Sequence, residues 1–272
     1  MRSPMSFFLF SIFLFPPMDA SSQAPVSSPE LASDRPDRTE SSLVLPKGFI
    51  QMESGWNLSR SSTDPCTATV HQFPDTLVRI GFLKRAEGRI AWTGGTWQTT
   101  AGANGGLRSS GIGDLEVGTK LFLRGQKGWL PETSVIAGTV LPTGSGWISS
   151  GRIDPSLRLA MSNGLSENVS VGYNIAISWQ TGKTPSGARD TVAVAEYSTS
   201  LGVGLGKRAG LFFEFFGSSP VNAGGGPANA LDAGLTFLAL GNLQFDCSGG
   251  FGTSRASDDW FAGAGVVWRL PR

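Results

Sequence analysis

The sequence predicts an all-β protein, a single transmembrane antiparallel β-barrel of about twelve strands, preceded by a signal peptide and an extended N-terminal segment. Three observations lead to this prediction. Apolar and polar residues alternate with a period of two, charged residues make up only 16% of the chain, and short connections alternate with long ones. Soluble domains carry about 25% charged residues, so this composition favours a wall that faces lipid.

Residues 1–24 have the organisation of an export signal peptide. Arg2 supplies a positive charge, Ser6 to Phe15 form an apolar core, and small residues follow between Ala20 and Ala24. The core is too short for a membrane-spanning helix, which needs about 20 apolar residues. We therefore predict a signal peptide here and export of the rest of the chain.

Residues 25–45 are polar, contain Pro and Ser, and show no periodicity, which predicts an extended periplasmic segment. Its charges are either solvated or paired with charges at the periplasmic mouth of the barrel. In the second case the segment is a plug. The candidate plug residues are Asp34, Arg35, Asp37, Arg38 and Glu40. The barrel itself is predicted over residues 46–272.

The clearest strand runs from Val169 to Gln180. Its odd positions carry Val, Val, Tyr, Ile, Ile and Trp, and its even positions carry small or polar residues. This alternation gives one apolar face and one polar face, over roughly the 9–11 residues with which a tilted strand crosses a bilayer. The same pattern, sometimes weaker, occurs at residues 50–58, 78–82, 89–99, 115–124, 132–142, 157–161, 195–201, 211–216, 231–237, 243–251 and 260–270.

Connections of two lengths separate these strands. Short turns are predicted near residues 84–88, 125–131, 162–167, 204–208 and 240–242. Longer loops are predicted near residues 59–75, 100–112, 143–152, 181–189 and 217–229, with a shorter one near 253–257. An even number of strands with short periplasmic turns and longer outer loops is typical of bacterial outer-membrane barrels. A soluble sandwich has no physical reason to collect its long loops at one end, so the pattern favours the bacterial outer membrane.

The polar faces carry charges of both signs. In a soluble barrel these charges would be scattered over an outer surface made mostly of Gly, Ser and Ala, whereas in a membrane barrel they line the lumen and pair. The lumen-lining candidates are Glu53, Arg79, Glu116, Lys120, Arg124, Arg158, Glu196, Glu214, Asp232, Asp246 and Arg269. The apolar faces then contact lipid, with Trp56 and Trp179 near one interface and Trp268 near the other.

Residue types for catalysis or metal binding are scarce. His71 is the single histidine, and we predict it in the first long loop. Cys66 is predicted in the same loop and Cys247 on a strand, and in an oxidising compartment they are either paired or free. One histidine and two distant cysteines do not make a zinc site. We therefore predict no enzyme, no cofactor and no metal, and the net charge of +1 argues against nucleic acid as a partner.

A set of short motifs extends over residues 31–270. The motifs are Asp34-Arg35-Pro36-Asp37, Thr39-Glu40-Ser41, Pro46-Lys47-Gly48 with Gln51, Glu53 and Gly55, Arg79-Ile80-Gly81, Gly113-Asp114-Leu115 with Gly118 and Lys120, Leu141-Pro142-Thr143-Gly144, Glu214, and Asp259-Trp260-Phe261-Ala262-Gly263-Ala264-Gly265. Together they resemble the outer-membrane transporter-like β-barrel family named for the meta pathway of phenol degradation. The chain departs from that pattern at Arg38, where Gln or an aromatic residue is expected, and at its end, where Leu270 stands in place of an aromatic residue.

The resemblance implies a channel or transporter for small molecules, with hydrophobic or aromatic solutes among them. The alternative is a structural or surface-interaction barrel without transport. A lipid-modifying enzyme and a secreted soluble sandwich are two further alternatives, and the lone His71 argues against the first of these. The partners implied are outer-membrane lipid, a small-molecule solute, and the barrel assembly machinery, which would bind the C-terminal strand through Gly265–Leu270.

Overall fold

The computed structural model describes residues 31–102, 105–145, 148–183 and 189–271, so the predicted signal peptide lies outside the described residues. In chain order the strands are β1 (Ile50–Thr63), β2 (Cys66–Leu83), β3 (Ala86–Trp92), β4 (Gly95–Gly102), β5 (Gly105–Ile112), β6 (Leu115–Arg124), β7 (Glu132–Leu141), β8 (Asp154–Gly164), β9 (Val169–Lys183), β10 (Arg189–Leu205), β11 (Ala209–Pro220), β12 (Ala228–Leu240), β13 (Leu243–Gly252) and β14 (Trp260–Leu270). No helix in the described ranges has the length and apolar character to cross a membrane.

These strands form one closed antiparallel barrel. Pairing is between sequence neighbours from β6 to β14, and β1 pairs with both β2 and β14, which closes the ring. At two positions of the wall, two strands together occupy one strand position. β3 and β4 both pair with β2, each along a different part of it, and next to them β6 pairs with β3 and β5 pairs with β4. The wall therefore has twelve strand positions, and the prediction of a twelve-strand barrel is confirmed.

The connections sort to the two ends of the barrel. The turns β2–β3, β6–β7, β8–β9, β10–β11 and β12–β13 lie at the end where β1 begins and β14 finishes, since Ile50 is paired with Leu270. We call this the short-turn end and the opposite one the long-loop end. In outer-membrane barrels the short turns face the periplasm, so both β1 and β14 reach the periplasmic side.

Two of the predicted long loops are strand instead. Residues 59–75, 100–102 and 105–112 lie in β1, β2, β4 and β5, except for a tight turn at Asp64 and Pro65 that joins β1 to β2. Strands of 14 and 18 residues are longer than the roughly 9–11 that cross a bilayer, so they project past the membrane at the long-loop end. There both faces are in water, Ser and Thr are frequent, and the apolar alternation that marks a membrane strand disappears.

The core of this barrel is polar and its outer wall is apolar. Gln51, Glu53, Glu87 and Lys120 are each 0% exposed, whereas large apolar side chains are open on the outside. The latter include Ile50, Met52, Trp56, Ile80, Ile90, Leu121, Leu157, Ile175, Trp179, Phe213, Leu235, Phe245, Trp268 and Leu270. This distribution is the reverse of a soluble protein's, so the soluble sandwich and the soluble barrel are both ruled out.

Candidate functional site

The N-terminal segment, residues 31–45, crosses the inside of the barrel. On one wall Gln51 donates a hydrogen bond from Nε2 to the Ala32 carbonyl (2.8 Å). Near the opposite wall Thr39 bonds through its hydroxyl to Ser198 of β10 (2.8 Å) and to Glu214 of β11. The segment therefore spans the lumen rather than lying against one side of it.

Asp34 is the anchor of the segment on the first wall. Its carboxylate accepts from the ammonium group of Lys120 at 3.0 Å, lies 3.4 Å from the Arg79 guanidinium, and accepts from Arg89. Its backbone N–H donates to Glu53 (2.9 Å). Three cations from β2, β3 and β6 thus converge on one carboxylate of the N-terminal segment.

Carboxylates of the wall complete this charge cluster. The Arg79 guanidinium donates from Nε to Glu87 (2.8 Å) and from its NH1 nitrogen to Glu53 (3.2 Å). Arg89 donates to Glu40, a second acidic residue of the N-terminal segment, at 2.7 Å. Buried charges are tolerated only when they are paired and hydrogen-bonded, and here each of these groups has partners from the wall and from the segment.

The electrostatic environment of Asp34 favours its ionised form. Burial alone would raise the pKa of this carboxyl group, but the positive charges of Arg79, Lys120 and Arg89 outweigh burial and hold the pKa well below its usual value. Asp34 is therefore charged throughout the neutral range. The segment is held to this wall by charge pairs inside the lumen, where they are shielded from bulk solvent.

Arg35 fits the wall through a notch made by glycines. Gly55 and Gly265 face each other across β1 and β14, and a Cβ added at either position would lie 2.3–2.4 Å from the guanidinium group. The guanidinium reaches Asp246 of β13 at 3.2 Å and lies 3.9 Å from Asp75. Glycine is needed at this pair of positions because any side chain would occupy the space of Arg35.

Beyond Arg35 the segment meets β11. The Arg38 backbone N–H donates to the Glu214 carboxylate (2.7 Å), and the Arg38 guanidinium lies over the ring of Phe216, 5.7 Å from its centroid. Asp37, between these two arginines, is hydrogen-bonded to Ser200 and faces the negative charge of Glu214. A basic and an acidic side chain of the segment are thus both placed beside the same acidic wall residue.

The returning limb of the segment follows the short-turn half of the barrel. The Glu40 N–H donates to Asn174 of β9 (2.8 Å), and the Ser42 hydroxyl bonds to Glu132 of β7 (2.6 Å). The segment then approaches β2, where a Cβ on Gly81 would lie 2.0 Å from the Pro46 carbonyl oxygen. Contacts therefore run from β1 and β2 across the lumen and back round the wall, so the segment fills the short-turn half.

Asp37 gives a pH-dependent prediction. Burial, and next the charge of Glu214, raise its pKa well above the usual value, with Asp232 adding to the effect and Ser200 opposing it. Its contribution to docking of the segment is thus fully present below its undocked pKa of about 3.9 and is lost as the pH rises through the docked pKa. We expect docking, measured as protection of residues 31–45 from hydrogen exchange, to weaken from pH 5 to pH 9 in the parent protein. In Asp37→Asn this part of the pH dependence should disappear; an unchanged profile would contradict the assignment.

A cavity of about 700 Å³ lies between the N-terminal segment and the long-loop end. Its floor is formed by Asp34 to Arg38 and by Glu40, and its upper part reaches Asp258 in the β13–β14 connection. We call it the lumenal cavity. Over the described residues, the lumen therefore holds a cavity toward the long-loop end and is filled by the N-terminal segment at the short-turn end.

The structure places most of the predicted lumen-lining residues inside the barrel. Those that project inward are Glu53, Arg79, Glu116, Lys120, Arg158, Glu196, Glu214, Asp232, Asp246 and Arg269. Arg158 and Glu196 form an ion pair of 2.8 Å between β8 and β10. All five candidate plug residues, Asp34, Arg35, Asp37, Arg38 and Glu40, lie within the lumen.

Arg124 is the exception and corrects the prediction. A register irregularity between Phe122 and Arg124 inserts one extra residue into β6, which reverses the side to which the following residue points. Arg124 is consequently exposed at the short-turn end, where its Nε donates to the Pro131 carbonyl (3.2 Å) and the Thr133 hydroxyl (3.3 Å).

Several lumenal residues escaped the sequence analysis. Glu87 and Arg89 of β3 belong to the charge cluster, and Glu132 and Asn174 hold the returning limb. Glu87 and Arg89 are two residues apart, with Gly88 between them and Ile90 following. The alternation that predicts a strand is therefore present here, but it covers few residues because β3 is short and begins directly after the β2–β3 turn.

His71 and Cys66 are not where the loop prediction put them. His71 is on β2 and its ring lies 6.0 Å from that of Trp56, on the exposed side of the wall. Cys66 begins β2, and Cys247 is on β13 as predicted. Both thiols are free. The loop prediction failed for His71 and Cys66 because β1 and β2 extend past the membrane.

The Leu-Pro-Thr-Gly motif has a structural explanation. The Gly144 N–H donates to the Asp114 carboxylate (2.8 Å), and the Thr143 hydroxyl accepts from the Leu115 N–H (2.9 Å). Burial would raise the pKa of Asp114, but hydrogen bonds from Gly144 and neighbouring residues lower it. These bonds tie the β7–β8 connection to the break between β5 and β6.

Comparison with known proteins gives one family match. A family model described as "Putative MetA-pathway of phenol degradation" matches residues 33–270, which include nearly all of the N-terminal segment and the whole barrel. No curated protein sequence matches the chain.

Solved structures share the fold at low sequence identity. An outer membrane channel from Pseudomonas putida F1 has a TM-score of 0.65 and 13% identity, over 84% of this chain and 97% of that one. The beta domain of the Bordetella autotransporter BrkA has a TM-score of 0.55 and 12% identity, over 82% and 99%. The translocator domain of the autotransporter NalP from Neisseria meningitidis has a TM-score of 0.51 and 13% identity, over 82% and 88%. These similarities show the fold, which is that of outer-membrane barrels.

Proposed function

The chain belongs to the family described as the putative MetA-pathway of phenol degradation, and from this premise we propose that it is an outer-membrane channel for small molecules, closed at its periplasmic end by its own N-terminal segment. The observation that carries the proposal is the position of that segment. It is the floor of the lumenal cavity, and polar contacts hold it to walls on both sides.

The form of the closure supports a channel over a structural barrel. Barrels of eight strands are filled by the side chains of the wall, whereas this wider barrel is filled at one end by a separate piece of chain. The segment precedes β1 and adds no strand to the wall, so it can leave the lumen while the strand pairing of the barrel remains intact. A purely structural barrel gains nothing from a removable filling.

We include hydrophobic and aromatic solutes among the small molecules that the channel would pass. The lumenal cavity has Phe216, Phe261 and Tyr197 among its lining residues, so it offers aromatic surface beside its charges. The outer face of the wall contacts outer-membrane lipid. We also propose that β14 is the strand by which the barrel assembly machinery binds the chain, since it carries the glycine, aromatic and apolar positions noted in the sequence.

The test compares the full chain with a variant that lacks residues 25–44. We expect the deletion to raise the conductance in planar bilayers and to admit larger solutes in liposome-swelling assays, because it empties the short-turn half of the lumen. Both proteins must show the faster mobility of an unheated barrel on a denaturing gel, which establishes that the wall is folded. Asp190→Asn, an exposed change at the start of β10, is the control and should behave as the parent.

The outcomes separate the two candidate functions. Equal conductance of the deletion variant and the parent would remove the closure by the N-terminal segment. If neither folded protein conducts ions or admits any solute, the channel proposal falls, and the structural or surface-interaction barrel takes its place.

A further inference from the structure

The lumenal cavity has an excess of acidic over basic side chains. Nine carboxylates line it, against the four guanidinium groups of Arg35, Arg38, Arg89 and Arg158, and no lysine or histidine contributes to the described lining. The acidic lining residues are Asp34, Asp37, Glu40, Glu53, Asp75, Glu116, Glu196, Asp232 and Asp258. A lumen with low-dielectric walls focuses such a field, so the imbalance acts on any ion that enters.

Three of the four guanidinium groups of the lining are in ion pairs. Arg35 contacts Asp246, Arg89 contacts Glu40, and Arg158 contacts Glu196. Behind the lining, Arg79 and Lys120 are directed at Asp34. The fourth lining cation, Arg38, lies over the Phe216 ring, and its charge acts on Glu214 and Asp232.

Some of the carboxylates have no close counter-ion. Glu116 forms no ion pair with any described residue, although it lines the cavity at mid-wall. Asp232 is 9% exposed; its carboxyl group shares a hydrogen bond with that of Glu214, and its Oδ1 atom has no partner among the described residues. Asp75 accepts a hydrogen bond from the Asn57 amide (2.7 Å), and its ion pair with Arg35 is long, at 3.9 Å. The unneutralised charge of the cavity is therefore negative.

The structure also shows how a cation is accommodated in this cavity. The Arg38 guanidinium lies over the Phe216 ring at 5.7 Å, and Phe261 packs edge-on against Phe216 at 5.7 Å. Ring faces attract cations, and the attraction grows when the cation is removed from water. An aromatic pair beside acidic residues is a favourable environment for an organic cation, and an unfavourable one for an anion.

We propose that the lumenal cavity selects cations, and in particular organic cations that carry an aromatic group, with Glu116 as a specificity-determining residue. This inference deepens the proposed channel function and rests on it for the passage of such solutes, although binding in the cavity does not require conduction. Glu116 acts because its carboxyl group lines the cavity without an ion pair of its own, while the two cations that act on it, Arg89 and Arg158, are paired with Glu40 and Glu196.

The first test measures binding to the full chain in detergent by isothermal titration calorimetry. The probes are phenyltrimethylammonium and benzenesulfonate, which have similar size and opposite charge. We expect saturable binding of the cation, no binding of the sulfonate, and an affinity for the cation about five- to tenfold lower in Glu116→Gln. Glu167→Gln, in the exposed β8–β9 turn, is the matched control and should leave the affinity unchanged.

The second test measures the reversal potential of the full chain and of the variant lacking residues 25–44 under a potassium chloride gradient. A reversal potential whose sign indicates cation selectivity, and whose magnitude is smaller in Glu116→Gln, supports the inference. Binding of the sulfonate as strong as that of the cation, absence of cation binding, or anion selectivity would overturn it. Cation binding by a barrel that never conducts would support the inference and refute the channel function, so the two failures are distinguishable.

Discussion

Replacing Arg79 by methionine is expected to lower the free energy of unfolding by about 3–5 kcal/mol, the usual cost of removing one partner from a buried ion pair. The guanidinium is 1% exposed and lies between Glu53, Glu87 and Asp34. Methionine fills a similar volume but leaves these carboxylates facing one another without their common counter-ion. The measurement is the midpoint of urea unfolding in detergent micelles, followed by the loss of the faster-migrating band on unheated gels.

Two further variants separate charge from geometry. Arg79→Lys keeps the positive charge but cannot reproduce the paired donation from Nε and NH2 to Glu87, so it should lie between Arg79→Met and the parent. Arg208→Met, in the exposed β10–β11 turn, should stay within about 0.5 kcal/mol of the parent. An Arg79→Met protein as stable as Arg208→Met would show that the charge cluster contributes nothing to the stability of the barrel.

Arg79 also illustrates which features a sequence of this kind reveals. Its inward direction follows from Val78 and Ile80 on either side, because a membrane strand must alternate. Its partner Glu87 does not follow, since it depends on the register set by the β2–β3 turn. The partner Asp34 is contributed by an aperiodic segment, whose composition predicts an extended conformation but no position.

The errors at the two ends of the wall have the same physical origin. The alternation is enforced only where one face contacts lipid, so the prediction fails where strands leave the membrane. At the long-loop end His71 and Cys66 were predicted in a loop although hydrogen-bonded strands continue through them. At the short-turn end one extra residue before Arg124 reverses the direction of a side chain, and no local pattern signals this.

Replacing Asp34 by asparagine is expected to release the N-terminal segment, with the ratio of open to closed channel rising by about 10²- to 10³-fold. The amide has nearly the shape of the carboxylate but no charge, so Lys120 and Arg89 lose their main common partner when the segment is docked. A loss of about 3–4 kcal/mol, within the usual cost of removing one partner from a buried ion pair, corresponds to that change in the ratio. The measurement is the open probability of single channels in planar bilayers at neutral pH.

Asp37→Asn is the matched control for Asp34→Asn, because the same chemical change is made three residues away in the same segment. Asp37 faces the negative Glu214, whereas Asp34 faces cations, so removing the charge of Asp37 should strengthen docking and lower the open probability. The two variants therefore move the equilibrium in opposite directions. A general loosening of the segment by any substitution would move it the same way in both.

Gly265→Ala tests the same release without altering any charge. The added Cβ would lie 2.4 Å from Nε of Arg35, and its three nearest atoms all belong to that guanidinium group. The substitution therefore acts on the docked segment and spares the wall. Opening by both Asp34→Asn and Gly265→Ala, with the gel mobility of a folded barrel retained, is the result expected of a docked plug. Open probabilities equal to the parent's in both variants would mean that residues 31–45 are a fixed part of the barrel, because neither loss of charge nor steric displacement would then move them.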